Sequence, residues 1–532
     1  MLLLFFAVSC SFGYSGGTGE PNSPYQIADV NDLLQLANDA NDYNKCFIMT
    51  ADIDLDPNLG NPVFTDNVIA PDYTHPFSGV FDGAGHKIKN LTIRDGLFGL
   101  FGYNSGEIKN LGLENVNMTS GISFFSEGGG LVGSNSGYIN NSYVTGLIAT
   151  ELGEGYNECL GGLVGVNDGH ISNCYSKGSV ICGDIEEHGL PPHNIGGLVG
   201  VNWGYIDNSY SEANVTGGLG NERIGGFVGN SGIGTITDCC STGNIKGYIG
   251  TSYIGGFAGS GDNIVRCFST GNVSSESSAW GGAWYVGGFV GQGGNISQCF
   301  STGNVSTGGI SYGIGGLVGV GGDINECFST GNVTVGADSR FIGGLIGSGG
   351  NVDECFSTGK VSVGSGSYYI GGLMGGSGDD VEECFSTGDV NVGDSSYATG
   401  GLIGGNGANW DGVDINNCYS TGNVTCGVYS HEIGGLVGEN GKTGSWGYIY
   451  NCYSAGTVGA GAGSYNIGGL VGHDEWNDVF RAYFLDTSGP DNGLGTPLPD
   501  ANMKHESSFV GWDFVGESLN GTQEIWCINE GV

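Results

Sequence analysis

Apolar residues in this chain recur in short clusters separated by small polar ones, and no helical period survives over the repeated part. The string G-G-[LF]-[VAIM]-G occurs twelve times, starting at Gly129, Gly161, Gly196, Gly225, Gly255, Gly287, Gly315, Gly343, Gly371, Gly400, Gly434 and Gly468. Phe98–Gly102 is a degenerate thirteenth copy, and the shortest step between copies is 28 residues. A second string, I-x-x-C-[FY]-S-T-G-x-V, follows each copy, most clearly at Cys267–Val273, Cys299–Val305, Cys327–Val333 and Cys418–Val424. This pattern predicts two or three short strands per unit, joined by Gly, Asn, Ser and Asp turns. A unit of that size cannot bury its own apolar face, so units stack and share one core. The expected fold is all-β: a parallel β-helix, or β-solenoid, of about 13 coils and roughly 60 Å, with short caps. Ile, Leu and Val form inward ladders. Ile324 and Cys327 are three apart, and a flat strand cannot point both inward, so a bend is expected between them.

The domain reading follows. Residues 1–15 carry an apolar run, Met1–Val8, then small residues, and read as an export signal peptide. Residues 16–95 form an N-terminal cap and first coil, with a short helix at Val30–Ala37. Residues 96–475 are the solenoid. Residues 476–532 are a C-terminal cap that is expected to stop early. Caps are needed because open strand edges invite aggregation.

Composition sharpens this picture. Gly accounts for 110 of 532 residues, yet Pro is only 11 and no G-X-Y period exists, so collagen is excluded. Lys+Arg is 14 against 54 Asp+Glu, a net charge of −40. Such a chain repels nucleic acid and anionic membranes, and no later stretch is long and apolar enough to span a bilayer. Neutral glycans, cationic partners and divalent cations stay open.

G-G-L-V-G followed by N-C-Y-S-T-G-N-V resembles the GLUG repeat of bacterial exported and surface proteins, over about residues 96–475. Phe77–Ile93, FSGVFDGAGHKIKNLTI, resembles the first coil of pectin-lyase-like β-helices. Residues 476–532, with Gly511-Trp512-Asp513-Phe514, are similar to the closing segment of such proteins. The resemblance implies a parallel β-helix and a location outside the cell, extracellular or at the cell surface. The same motif occurs in large immunoglobulin-cleaving metallopeptidases, which need H-E-x-x-H. His431-Glu432 and His505-Glu506 both lack the second His, so protease activity is not expected.

Nine cysteines share one repeat position: Cys174, Cys239, Cys267, Cys299, Cys327, Cys355, Cys384, Cys418 and Cys452. Ser142 and Ser209 fill that slot elsewhere. In-register side chains about 4.8 Å apart are too far for a disulfide, which wants Cβ atoms about 3.8 Å apart. The expectation is a structural ladder of free thiols, with one loop disulfide left open among Cys159, Cys182, Cys240 and Cys426. Six aromatics are the ligand-binding candidates. Trp203, Trp410 and Trp446 fall in the turn after the Gly-Gly string, and Trp280, Trp284 and Tyr285 in another loop.

Candidates for other chemistry are weaker. Glu186, Glu187, His188 and His193 share one insertion. Asp379-Asp380 with Glu382 and Glu383, and His473-Asp474-Glu475, are carboxylate clusters that a polysaccharide lyase or hydrolase would use. Only five Arg exist, and none sits in a lyase-like motif. Asp52, Asp54 and Asp56 alternate as if on one strand face and would suit Ca²⁺. Asn272, Asn304, Asn332 and Asn423 in N-x-[ST] read as one copied strand pattern. The expectation is a monomeric, non-catalytic adhesin or extracellular-matrix component, holding a glycan or another surface by its loop edge. It needs no catalytic residue and no cofactor, with Ca²⁺ left open, and its metal site is unassigned. A carbohydrate-active enzyme and a purely structural rod are the alternatives.

Overall fold

The computed structural model describes residues 13–528 apart from 95, 97–98, 121–126, 151, 154–158, 186–193, 279–280, 408–412, 442–446 and 517–522. One repeat shows how the chain winds. Residues 312–335 form five short strands: Tyr312–Gly315, Val318–Gly321, Ile324–Asn325, Phe328–Ser329 and Val333–Val335. The next strand, Arg340–Gly343, lies on the first in parallel register, with Ile314 opposite Ile342. Two or three strands per unit were expected. The structure has five because turns and left-handed residues cut each apolar run.

The stacks are all parallel. The Ile ladder has 16 strands, the Val-Gly ladder 13 and the Gly-Gly ladder 12, and the Phe-Ser and Val strands close the circuit. The fold is thus an all-β parallel solenoid of about 13 turns. Ile314, Leu317, Val318, Ile324, Cys327 and Val333 are all at most 1% exposed. The bend between Ile324 and Cys327 is Glu326, at φ +51°. One residue in the left-handed region breaks the alternation, so positions three apart both face the core. Each coil repeats the device immediately before its Cys position, at Asn173, Asp238, Arg266, Gln298, Glu354, Glu383, Asn417 and Asn451 among others.

The Gly-Gly string is dictated by proximity. A Cβ on Gly315 would sit 2.0 Å from the Val318 carbonyl oxygen, and one on Gly316 would sit 2.1 Å from the Gly344 carbonyl of the next rung. Any larger residue would push the corner or the rungs apart.

The ends are built into the stack. Tyr25–Ile27, Cys46–Met49 and Val80–Asp82 are the first three strands of the Ile ladder. The helix Val30–Asn38 is capped by Asp29, which accepts the Asn31 and Asp32 N–H groups, and it buries Leu33 and Leu36. At the other end Phe509, Trp512 and Phe514 cluster over Tyr483. Among the described residues no helix is long and apolar enough to cross a membrane.

Candidate functional site

Trp280, Trp410 and Trp446 lie outside the described residues. Trp203 is 45% exposed, in the turn after Val199–Asn202. Its ring covers Gly232 of the next coil, where a Cβ would fall 2.0 Å from the ring. Trp203 therefore packs on its neighbour. Trp284 and Tyr285 are not in a loop: they open the strand Trp284–Gly287 of the Gly-Gly ladder. This separates them from Trp203. Trp476 is also exposed and follows the Val-Gly strand Val471–Asp474. Its only sequence signal was its place shortly after the last Gly-Gly string, at Gly468.

Trp284 and Tyr285 belong to a belt with two columns. Trp284, Tyr312, Arg340, Tyr368, Tyr397, His431 and Tyr465 are in register on successive coils. Beside them run Arg223, Tyr253, Tyr285, Phe341 and Tyr369, all left-handed at φ +50° to +58°. The left-handed residue lies next to its predecessor while the following Ile turns in; at this position Phe341, Tyr369 and Ala398 are buried in one small apolar cluster, and Gly313 stands there on another coil. The rings meet at angles: Trp284–Tyr312 at 5.9 Å and 31°, Tyr285–Tyr312 at 5.8 Å and 76°, and Tyr368–Tyr397 at 5.9 Å and 51°. Arg340 lies over Tyr368 at 4.9 Å. A second aromatic column behaves differently. Phe268, Phe300, Phe328, Phe356 and Phe385 stack 4.8–4.9 Å apart and within 3° of parallel. Those rings spend their faces on one another. In the belt Trp284, Tyr368 and Tyr465 stay partly exposed, while Phe341 and Tyr369 are buried against each other.

The belt ends at a cluster that no sequence motif announced. Glu432 follows His431 in the belt strand, at φ +60°. Glu439 lies on Val437–Asn440, and His473 is its register partner one coil on. One ligand atom from each of Glu432, Glu439 and His473 falls within 4.8 Å of the others. The Tyr397 hydroxyl donates to Glu439 Oε1. Burial, and then that carboxylate, push the Tyr397 phenol far above its ordinary value. His431 Nδ1 is 3.7 Å from Glu432 Oε1, with its ring stacked on Tyr465 at 4.7 Å and edge-on to Tyr397.

The other candidates are occupied by structure. Asp474 accepts the N–H groups of Trp476, Asn477 and Asp478, so it holds a turn rather than acting beside His473. Asp380 accepts the Asp414 N–H and Glu382 the Asn416 amide. Asp52, Asp54 and Asp56 do not share a strand face, because the strand is only Ile53–Asp54. Asp52 pairs with Lys89 at 3.0 Å, Asp54 takes the Asn90 amide, and Asp56 caps a turn at Asn58. Each carboxylate already has a donor, which disfavours Ca²⁺ there. His170 contacts Asp207 at 2.5 Å and Ser172 donates to the same carboxylate. The serine meets the acid rather than the imidazole, so this is no nucleophile–base pair. His431-Glu432 sits on a strand and His505-Glu506 at a single 3-10 turn, so neither offers a helical metal-binding face. Glu186, Glu187, His188 and His193 lie outside the described residues.

The ladder cysteines stack in the core. The Cys327 N–H points to Cys355 Sγ at 3.3 Å, and its thiol donates to the Asn325 carbonyl at 3.1 Å. The N–H of Cys174 meets Ser209 Oγ at 3.0 Å in the same way. No disulfide joins any of the 15 described cysteines.

Residues 156–181, 192–216 and 282–306 match the family model described as the GLUG motif. Halomucin of Haloquadratum walsbyi is 33% identical over 142 residues, covering 25% of this chain and 2% of that relative. The chain thus matches a small fraction of that relative's length. The crystal structure of a candidate immunoglobulin A1 protease from Bacteroides ovatus is 21% identical and covers 55% of this chain and 79% of its own, with a TM-score of 0.38.

Proposed function

We propose that this chain, a GLUG-repeat parallel β-solenoid, works outside the cell as a non-catalytic adhesin or matrix component that holds a glycan on its aromatic belt. One observation carries the reading: the partly exposed rings that recur along the Gly-Gly ladder, with Trp284 52%, Tyr368 38% and Tyr465 54% exposed. Rings held at fixed spacing by a rigid backbone give a linear polymer a contact about every 4.8 Å along the rod, with little ordering cost on the protein side. Exposed aromatic rows of this kind mark binding surfaces. The net charge of −40 selects against anionic polysaccharides and favours neutral or cationic ones. The apolar run Met1–Val8 supports export.

The test is affinity electrophoresis of the purified chain through neutral, cationic and anionic polysaccharides, with an assay for newly released chain ends. Retardation by neutral or cationic polymers without new ends is expected. The triple variant Trp284→Ala, Tyr312→Ala, Tyr368→Ala should lose at least tenfold in affinity with a nearly unchanged melting curve. New chain ends would replace this reading with an enzyme. Full retention by the triple variant would remove the belt as the contact surface.

A further inference from the structure

Beyond the glycan reading, and independent of it, the cluster at the end of the belt has the chemistry of a metal site. Glu432, Glu439 and His473 come from three strands on two coils, separated by up to 41 positions in sequence. Their ligand atoms nevertheless converge within 4.8 Å. Glu439 is only 8% exposed and the Glu432 side chain 12%. Two acidic side chains this buried cost free energy unless a cation or a donor balances them. For Glu432 that balance is incomplete: Tyr397 and His431, at 3.7 Å, are its polar neighbours, but its Oε2 is buried with no hydrogen-bond partner. His473 Nδ1 is likewise buried and unsatisfied. Two of the three residues thus keep a buried polar atom without a partner, in a cluster whose ligand atoms converge within 4.8 Å, which is what a missing ligand leaves behind.

We infer that Glu432, Glu439 and His473 bind one divalent transition cation of the zinc class. An imidazole nitrogen with two carboxylates suits zinc, which takes nitrogen and oxygen ligands at about 2.0–2.2 Å in a tetrahedron with room for water. Calcium needs six to eight oxygen donors, and three side chains including an imidazole do not supply them. Glu439 is oriented from outside the set, because the Tyr397 hydroxyl donates to its Oε1. Such outer partners fix a ligand's geometry. His431, wedged between Tyr397 and Tyr465, is a neighbour rather than a ligand. The bound ion would tie the two coils together across the Val-Gly ladder.

The full chain, freed of metal by a chelator, would be titrated with Zn²⁺ and Ca²⁺ by calorimetry and then with Co²⁺ by visible absorption. One tight Zn²⁺ per chain is expected, undisturbed by a hundredfold excess of Ca²⁺ and accompanied by a higher melting midpoint. Co²⁺ should give tetrahedral bands with no thiolate charge-transfer band. Glu432→Gln and His473→Gln should each weaken Zn²⁺ at least a hundredfold. Tyr397→Phe should weaken it ten- to a hundredfold at unchanged stoichiometry, and His86→Gln at the far end should bind as the parent does. Absence of stoichiometric Zn²⁺, a thiolate band, or parental affinity in His473→Gln would each overturn the site. The Co²⁺ spectrum and the Zn²⁺-induced melting shift of the parent decide the matter even if a variant fails to fold. Loss of Zn²⁺ binding with polysaccharide retardation intact would remove this site alone.

Discussion

The cysteine column shows how one residue type serves a ladder without cross-linking it. Each ladder sulfur accepts the backbone N–H of the coil before and donates to a carbonyl two residues back. A hydroxyl can do the same, as Ser142 and Ser209 do for the N–H groups of Leu111 and Cys174. Cys327→Ser should therefore cost under about 1 kcal/mol. Cys327→Leu should cost about 1–3 kcal/mol, because the rung spacing leaves no volume for two more carbons. Thermal melts of both variants measure this. Burial also pushes the Cys174 thiol up to about 12, so it stays protonated and unreactive in the fold. Thiol titration in denaturant without reductant should find at least nine free groups, and the folded chain should react first at exposed Cys527. Far fewer thiols in denaturant would mean disulfides, and the ladder account would fail.

At the scale of the strand, two aromatic columns on the same rod have opposite jobs. Phe328 lies between Phe300 and Phe356 at 4.9 Å, within 3° of parallel. Its replacement by Ala opens a gap in a continuous stack and should cost about 2–3 kcal/mol. Trp284 has a free face, so Trp284→Ala should cost under about 1 kcal/mol. Comparing the two denaturation midpoints separates a packing column from a presenting one. Equal losses would mean that the belt is packing too. The left-handed residue in each belt strand is the device that makes the second column possible, at Tyr253, Tyr285, Phe341 and Tyr369. Non-glycine residues hold that conformation at a cost of order 1 kcal/mol, which the parallel ladders on both sides offset.

For the molecule as a whole, stacking multiplies every local choice, including the unfavourable ones. Glu326, Glu354 and Glu383 occupy the same slot on successive coils, so like charges line up along the rod. Partial desolvation, and then Glu354 and Glu382, raise the Glu383 carboxyl above its ordinary value. A folded-state value above the unfolded one means that the folded chain holds this proton more tightly. The resulting stability is present at low pH and is lost as pH rises through the folded value. Glu383→Gln, permanently neutral, should thus melt above the parent at pH 7 and level with it near pH 4. A gain that persists at pH 4 would point to packing instead. Added salt should narrow the pH 7 difference, because these carboxylates are solvent-facing and screened over about 8–10 Å.

Periodicity made the solenoid legible from the sequence alone. A unit of 28 residues without a helix has no way to bury Ile, Leu and Val except against its copies, and the three-residue spacing of Ile324 and Cys327 required the bend that Glu326 makes. The close approaches at Gly315 and Gly316 likewise follow from the Gly-Gly string. The strand count was misread because left-handed residues have no sequence signature when they are Glu, Arg or Tyr. The site was beyond sequence for a different reason. Trp284 looked like a loop residue until the register placed Tyr312 and Tyr368 beside it, and His473 drew attention only through its chain neighbour Asp474, which turned out to hold a turn. Stacking gives each residue neighbours about one coil away in the chain, so Glu439 meets His473 through the ladder rather than through a motif. The repeat determined the fold because the core recurs in every unit; the belt and the cluster depended on tertiary structure because outward positions vary from coil to coil and acquire meaning only from what the register sets beside them.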